Sequence, residues 1–96
     1  MYSITENEIH LPDLVFVQLC EEKYNINRGV YNTIDNWLNL KGIKHIIDRR
    51  VAIVDFFEYV TTYYLNTNKS GKLKFGNGGL TDKLENFWIN QYGHTQ

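Results

Sequence analysis

From Asn27 to Gly42 the chain reads NRGVYNTIDNWLNLKG, and its apolar residues fall on one helical face. Val30, Ile34, Trp37 and Leu38 stand at i, i+4, i+7 and i+8, which only a period of 3.6 residues brings together. The other side carries Arg28, Asn32, Asn36 and Asn39. Asn27 suits the N-cap, and Gly42 suits the left-handed turn that closes a helix. A helix of this kind must lay its apolar stripe on a core, and the rest of the chain has to supply that core.

It has the means. The 96 residues are 43% hydrophobic, with 7 Tyr, 5 Phe and 2 Trp. That suffices for one domain with its own interior and excludes a disordered tail. The lone Cys20 rules out an internal disulfide, fits a reducing compartment, and reads as a small core residue. The most apolar run, Val51 to Val60, is interrupted by Asp55 and Glu58 and is too short to span a bilayer. Nothing at the N-terminus resembles a leader peptide. The expectation is a cytoplasmic protein that does not enter membranes.

The net charge of −1 is unevenly distributed. Glu6, Glu8, Asp13, Glu21 and Glu22 occupy residues 1–22 with no Lys or Arg among them. Lys41, Lys44, Arg49 and Arg50 crowd residues 41–50, and Lys69, Lys72 and Lys74 crowd 69–74. Two basic segments behind an acidic start leave room for a polyanionic partner. Heavy use of Asn, Ile, Lys and Tyr is also what AT-rich coding produces, so the Asn-rich face of 28–39 reads equally well as ordinary solvated surface.

In chain order, Tyr2 and Ile4 alternate with Ser3 and Thr5 as in a short strand. Pro12 and Asp13 open a helix to about Lys23, with Val15, Phe16, Leu19 and Cys20 spaced for packing. Residues 43–54 are rich in β-branched side chains. They fit a hairpin turning at Asp48-Arg49-Arg50, and they fit a helix with Ile43, Ile46, Ile47, Val51 and Val54 in one stripe. Asp55 followed by Glu58 resembles a capping box, which favours a hairpin and then a fresh helix over 56–65. Residues 66–79 form a Gly- and Lys-rich connection with a short strand at 72–75. A last helix starts at Thr81 or Asp82 and places Leu84, Phe87, Trp88 and Tyr92 inward. The expected fold is α+β and mainly helical, about four helices with a small β hairpin; the alternative is all-α. The expected core includes Phe16, Leu19, Ile34, Trp37, Leu38, Phe57, Leu84 and Trp88.

A helix ending LCEEKY, a turn around Ile26, and a second helix ending Trp-Leu before Lys-Gly-Ile resemble a helix-turn-helix, with Cys20, Ile26, Tyr31 and Ile34 as apolar anchors. With the hairpin added, residues 13–65 resemble the winged helix-turn-helix of phage excisionases and small terminase subunits. Asn36 to Lys41 is similar to the Asn-Trp-Leu-x-Leu-Lys run of the viral KilA-N domains. These resemblances imply a small DNA-binding protein of a phage or other mobile element. It would read duplex DNA with the 28–41 helix, through Arg28, Asn32, Asn36 and Asn39, because an Asn amide pairs with the edge of adenine. Lys41, Lys44, Arg49 and Arg50, with the 69–74 segment, would hold phosphates. Asp35 beside that face is a difficulty. The alternative is a viral inhibitor of a host protein, with the acidic first 22 residues as its docking face. A homodimer stays open on either reading.

No catalytic chemistry stands out. His10, His45 and His94 lack partners at metal-ligand spacing, so no metal or other cofactor is expected. Ser70-Gly71-Lys72 lacks the glycine spacing of a phosphate loop. No Ser or Cys has a base beside it, and the expectation is a protein that is not an enzyme.

Overall fold

The computed structural model describes residues 4–63 and 79–93. A short 3-10 helix, Glu8–His10, leads into α1, Asp13–Tyr24, and α2, Arg28–Leu40; α3, Ile46–Tyr63, and α4, Gly79–Tyr92, complete the bundle. α3 is the central element and packs on α2, on α4 and on the 3-10 helix, while α1 packs on α2 and the 3-10 helix.

The start of the chain is pinned by a device its sequence spells out. Thr5 N donates to Glu8 Oε1 at 2.8 Å and Glu8 N donates to Thr5 Oγ1 at 3.3 Å. This reciprocal Thr-x-x-Glu pairing is a capping box. The backbone N–H of Thr5 holds the Glu8 carboxyl below its usual range. Ile4 and Thr5 are not in a strand, and the expected first strand otherwise lies outside the described residues.

α1 and α2 end as helices commonly do. Asn25 sits at φ 54 after α1, in the left-handed conformation that Asn tolerates. Gly42 sits at φ 108 after α2, with Gly42 N donating to Asn39 O and Ile43 N to Leu38 O, both at 3.1 Å. That bond pair is the Schellman arrangement. Asn27 precedes α2 as expected, but its side chain makes no capping bond; its carbonyl instead accepts from Val30 N and Tyr31 N.

The expected hairpin is not there. Residues 46–63 form one continuous helix, and no strand occurs among the described residues. The α+β expectation is therefore corrected to a helical bundle, and the wing of the winged helix-turn-helix goes with it. The physical reason lies in burial on several sides. Arg50, Ile53, Val54 and Phe57 repeat at i, i+3, i+4 and i+7, and Ala52, Phe56 and Val60 bury a neighbouring face. A helix enclosed on most sides loses the amphipathic signature by which helices are recognised, and its β-branched residues imitate a strand. Asp55 and Glu58 lie mid-helix, where Glu58 Oε2 accepts from the Tyr24 hydroxyl at 2.6 Å. They are therefore not a helix start. The expected strand at 72–75 lies outside the described residues.

Of the expected core, Phe16, Ile34, Leu38, Phe57 and Leu84 are fully buried, whereas Leu19, Trp37 and Trp88 are only partly so. Phe87 is buried, as its inward place on the last helix implied, and Phe56 is a large core ring outside the expected set. Cys20 is wholly buried, and burial pushes its thiol up to about 12, with Arg50 pulling weakly the other way. The neutral thiol therefore supports the fold at neutral pH. That support fades as pH rises from its ordinary 9.0 towards about 12. Iodoacetamide at mildly alkaline pH should leave Cys20 unmodified in the folded protein and alkylate it fully in denaturant, read by intact mass. Rapid labelling of the native protein would contradict the burial.

Candidate nucleic-acid interface

The outer face of α2 carries the exposed side chains Asn32, Thr33, Asn36 and Leu40. Successive residues turn by about 100°, so Arg28 and Asn32 sit on one flank of this face and Trp37 and Lys41 on the other. Asn39 is half-buried beside the first flank.

On the Trp37 flank, α2 meets α4. The Trp37 and Trp88 rings stand edge to face, 5.7 Å between centroids at 82°. Lys41 Nζ lies 4.9 Å from the Trp37 ring centroid and 5.9 Å from that of Trp88. It also pairs with Glu85 at 3.8 Å, with both side chains well exposed. An exposed pair of this length contributes little, so the ammonium exchanges readily towards another anion. The result is two partly open indole rings under one cation.

On the other flank, Arg28 pairs with Glu21 at 3.2 Å. Behind it a cleft of about 310 Å³ opens between α1, α2 and the start of α3. Asp35 lies in this cleft and is not an unpaired charge. Its Oδ1 accepts from Arg49 Nε at 2.8 Å. Burial pushes the phenol of Tyr31, which lines the same cleft, above its ordinary range.

The eight residues expected to meet DNA thus divide. Arg28, Asn32, Asn36 and Lys41 share or flank one accessible face, and Asn39 is half-buried beside it. Lys44 is turned back, donating to Asn39 O at 3.0 Å across the end of α2. Arg49 is spent on Asp35 and on the carbonyls of Ile43 and Lys44, at 3.2 and 2.7 Å. Arg50 is buried, donates to the carbonyls of Ile9 and Leu11 and to Asp13, and lies 4.7 Å from the Phe16 ring centroid. Neither arginine stands at an exposed turn, so their expected role as phosphate contacts is corrected. Lys69, Lys72 and Lys74 lie outside the described residues. Trp88, expected in the core, packs against its edge and is only partly buried, so helical spacing alone did not reveal its open side.

Within the acidic start Glu6 and Glu22 are exposed, and three of the other carboxylates are paired within the chain. Glu8 closes on Thr5, Asp13 on Arg50 and Glu21 on Arg28. Among the described residues no three His, Cys, Asp or Glu side chains gather as a metal site requires, and no helix is long and apolar enough to cross a membrane.

No protein-family model matches the chain, and no solved structure matches it. The similarity that does emerge overturns the phage-type and KilA-N resemblances, duplex DNA as partner, and the viral inhibitor of a host protein. Over 85 residues, 88% of its length, the chain is 42% identical to a bacterial protein, the RNA-binding riboflavin kinase RibR of Bacillus subtilis (strain 168), and it spans 36% of that protein.

Proposed function

We propose that this chain is a single-domain RNA-binding module with no catalytic role of its own. The observation that carries the reading is the 42% identity to a protein named for two activities, over a region that is 36% of its length. Of those two, phosphoryl transfer needs a cradle for phosphates and a cation site. The chain has no phosphate-loop spacing, and no carboxylate or imidazole cluster gathers among the described residues. RNA binding asks only for an accessible face with hydrogen-bonding amides, aromatic rings and a few cations, and α2 with its α4 neighbour supplies these.

The charge balance narrows the mode of binding. At a net charge of −1, bulk attraction to phosphate is weak. Recognition then rests on unpaired bases, stacked on rings and hydrogen-bonded along their edges. Asn32 and Asn36 supply the amides, Trp37 and Trp88 the rings, and Arg28 and Lys41 the phosphate contacts.

The test is a titration of RNA hairpins with randomised loops against the same stems without loops. Looped RNA should bind and fully paired stems should not. With about two phosphate contacts, the slope of log affinity against log salt should be shallow, about −1.4. Asn36→Ala should lower affinity by about 1–3 kcal/mol with that slope unchanged. A folded protein that retains no hairpin at low salt rejects the proposal.

A further inference from the structure

Resting on the RNA-binding reading above, we propose that the cleft between α1, α2 and the start of α3 is a guanine pocket that takes one unpaired base. Three features of the cleft point there.

The first is its walls. Leu14 and Ile46 rim it and are 64% and 40% exposed, so both offer apolar surface to a ligand. At about 310 Å³ the cleft lies at the small end of ligand sites, a volume that suits one heterocycle better than a stretch of chain.

The second is a hydroxyl with no protein partner among the described residues. Tyr31 is 6% exposed, yet among the described residues its hydroxyl has no hydrogen-bond partner. It lines the cleft and is not among the oxygens sealed away from solvent. A tyrosine this buried ordinarily finds a partner for its O–H. A ligand acceptor in the cleft would provide one.

The third is a prepared carboxylate. Arg49 fixes Asp35 through Nε at 2.8 Å and neutralises its charge, so a phosphate nearby is not repelled. A carboxylate has about four lone-pair sites, and the Arg49 bond occupies one of them. Guanine is the base that presents two adjacent donors, N1–H and N2–H, on its pairing edge; both can donate to one carboxylate. Its O6 and N7 are acceptors on the other edge, suited to the Tyr31 hydroxyl and the Asn32 amide. Adenine, cytosine and uracil offer Asp35 one edge donor apiece. Arg28 stands at the mouth, in an exposed pair with Glu21 that a ribose-linked phosphate can displace.

The experiment needs no cognate RNA. Methyl-labelled protein is titrated with GMP, IMP, AMP, CMP and UMP, and the Leu14, Val17 and Ile46 resonances are followed. GMP should shift them at concentrations about tenfold lower than AMP, CMP or UMP. IMP, which lacks the N2 amino group, should fall between. Asp35→Asn should abolish the preference for GMP. Because that change also takes a partner from Arg49, Tyr31→Phe is the second variant. It keeps the ring in place and should weaken GMP several-fold with little effect on the other nucleotides. Equal shifts from all the nucleotides, shifts confined to other residues, or no shifts at millimolar nucleotide overturn the pocket. If looped RNA binds while GMP does not, the RNA reading stands and the pocket falls. If GMP binds selectively and no hairpin does, the cleft is a free-nucleotide site and the proposal of an RNA base falls with the RNA reading.

Discussion

Arg50→Ala should cost about 2–6 kcal/mol, about 1–3 for each of the two carbonyls it leaves without a donor. A domain of this size has about 5–15 kcal/mol in total, so the variant sits near the edge of folding. The guanidinium is 4% exposed, and its Nη1 donates to the carbonyls of Ile9 and Leu11 at 2.7 and 2.6 Å. Those two bonds hold the 3-10 helix and the entry to α1 against α3. Without them both carbonyls lose a charged donor in a place water barely reaches, and each orphaned acceptor costs about 1–3 kcal/mol. The contact with Asp13 adds less, because that carboxylate is largely open to solvent. Arg50→Met separates the effects: it keeps most of the volume over the Phe16 ring and removes every donor. If the hydrogen bonds dominate, Met should recover under half of the loss seen with Ala. Lys should also recover only part, since one ammonium lacks the fork that spans two carbonyls and a carboxylate. Urea denaturation measures all three. A loss below about 1 kcal/mol for Arg50→Ala would mean that the first turn is held by something else.

Arg50 also explains where the sequence was misleading. Two adjacent arginines beside a polar face resemble phosphate contacts, and their charge is all that composition reports. What decides their role is that α3 is central. A residue on a central helix faces neighbours on most sides, so Arg50 turns to the 3-10 helix and Arg49 to α2. The same centrality turned a buried helix into an imagined hairpin, because enclosure replaces a clean stripe with a nearly continuous apolar run. α1 and α2 pack one face each and leave the other wet. The stripe of α2 was legible and that of α1 only in part, since Val15 is exposed while Phe16 and Cys20 are buried. The ends of both agree with the expected ones to within about two residues. The candidate interface was legible by the same logic. Arg28, Asn32 and Asn36 are on the side of α2 away from its own apolar stripe, so no knowledge of the neighbours was needed to place them outside. Asp35, Tyr31 and Trp88 required those neighbours. Asp35 looked like a flaw in the face until Arg49 was found against it. Trp88 looked like core until α4 was seen to meet α2 at its edge.

Phe56→Ala should cost about 3–5 kcal/mol, the usual loss for emptying a large aromatic site. Phe56 has no solvent exposure and meets Phe87 of α4 edge to face, with centroids 5.6 Å apart at 74°. Such a pair adds about 0.5–1.5 kcal/mol beyond the area it buries. Trp37→Ala should cost less than Phe56→Ala, because Trp37 is only partly buried and less apolar surface returns to water. The two variants should also differ in what comes loose. Phe56 joins α3 to α4, so its removal should release α4 ahead of the rest, as faster amide exchange over residues 80–91. Release of α4 would carry Trp88 away from Trp37, and the fluorescence of that indole pair should change at denaturant concentrations where the far-ultraviolet circular dichroism of the other helices persists. Looped-RNA affinity should fall over the same range, because one of the two rings leaves the proposed interface. A single coincident transition by all three probes would mean that α4 is no separate unit. A loss under about 1.5 kcal/mol would mean that the Phe56–Phe87 contact is not what joins the two helices.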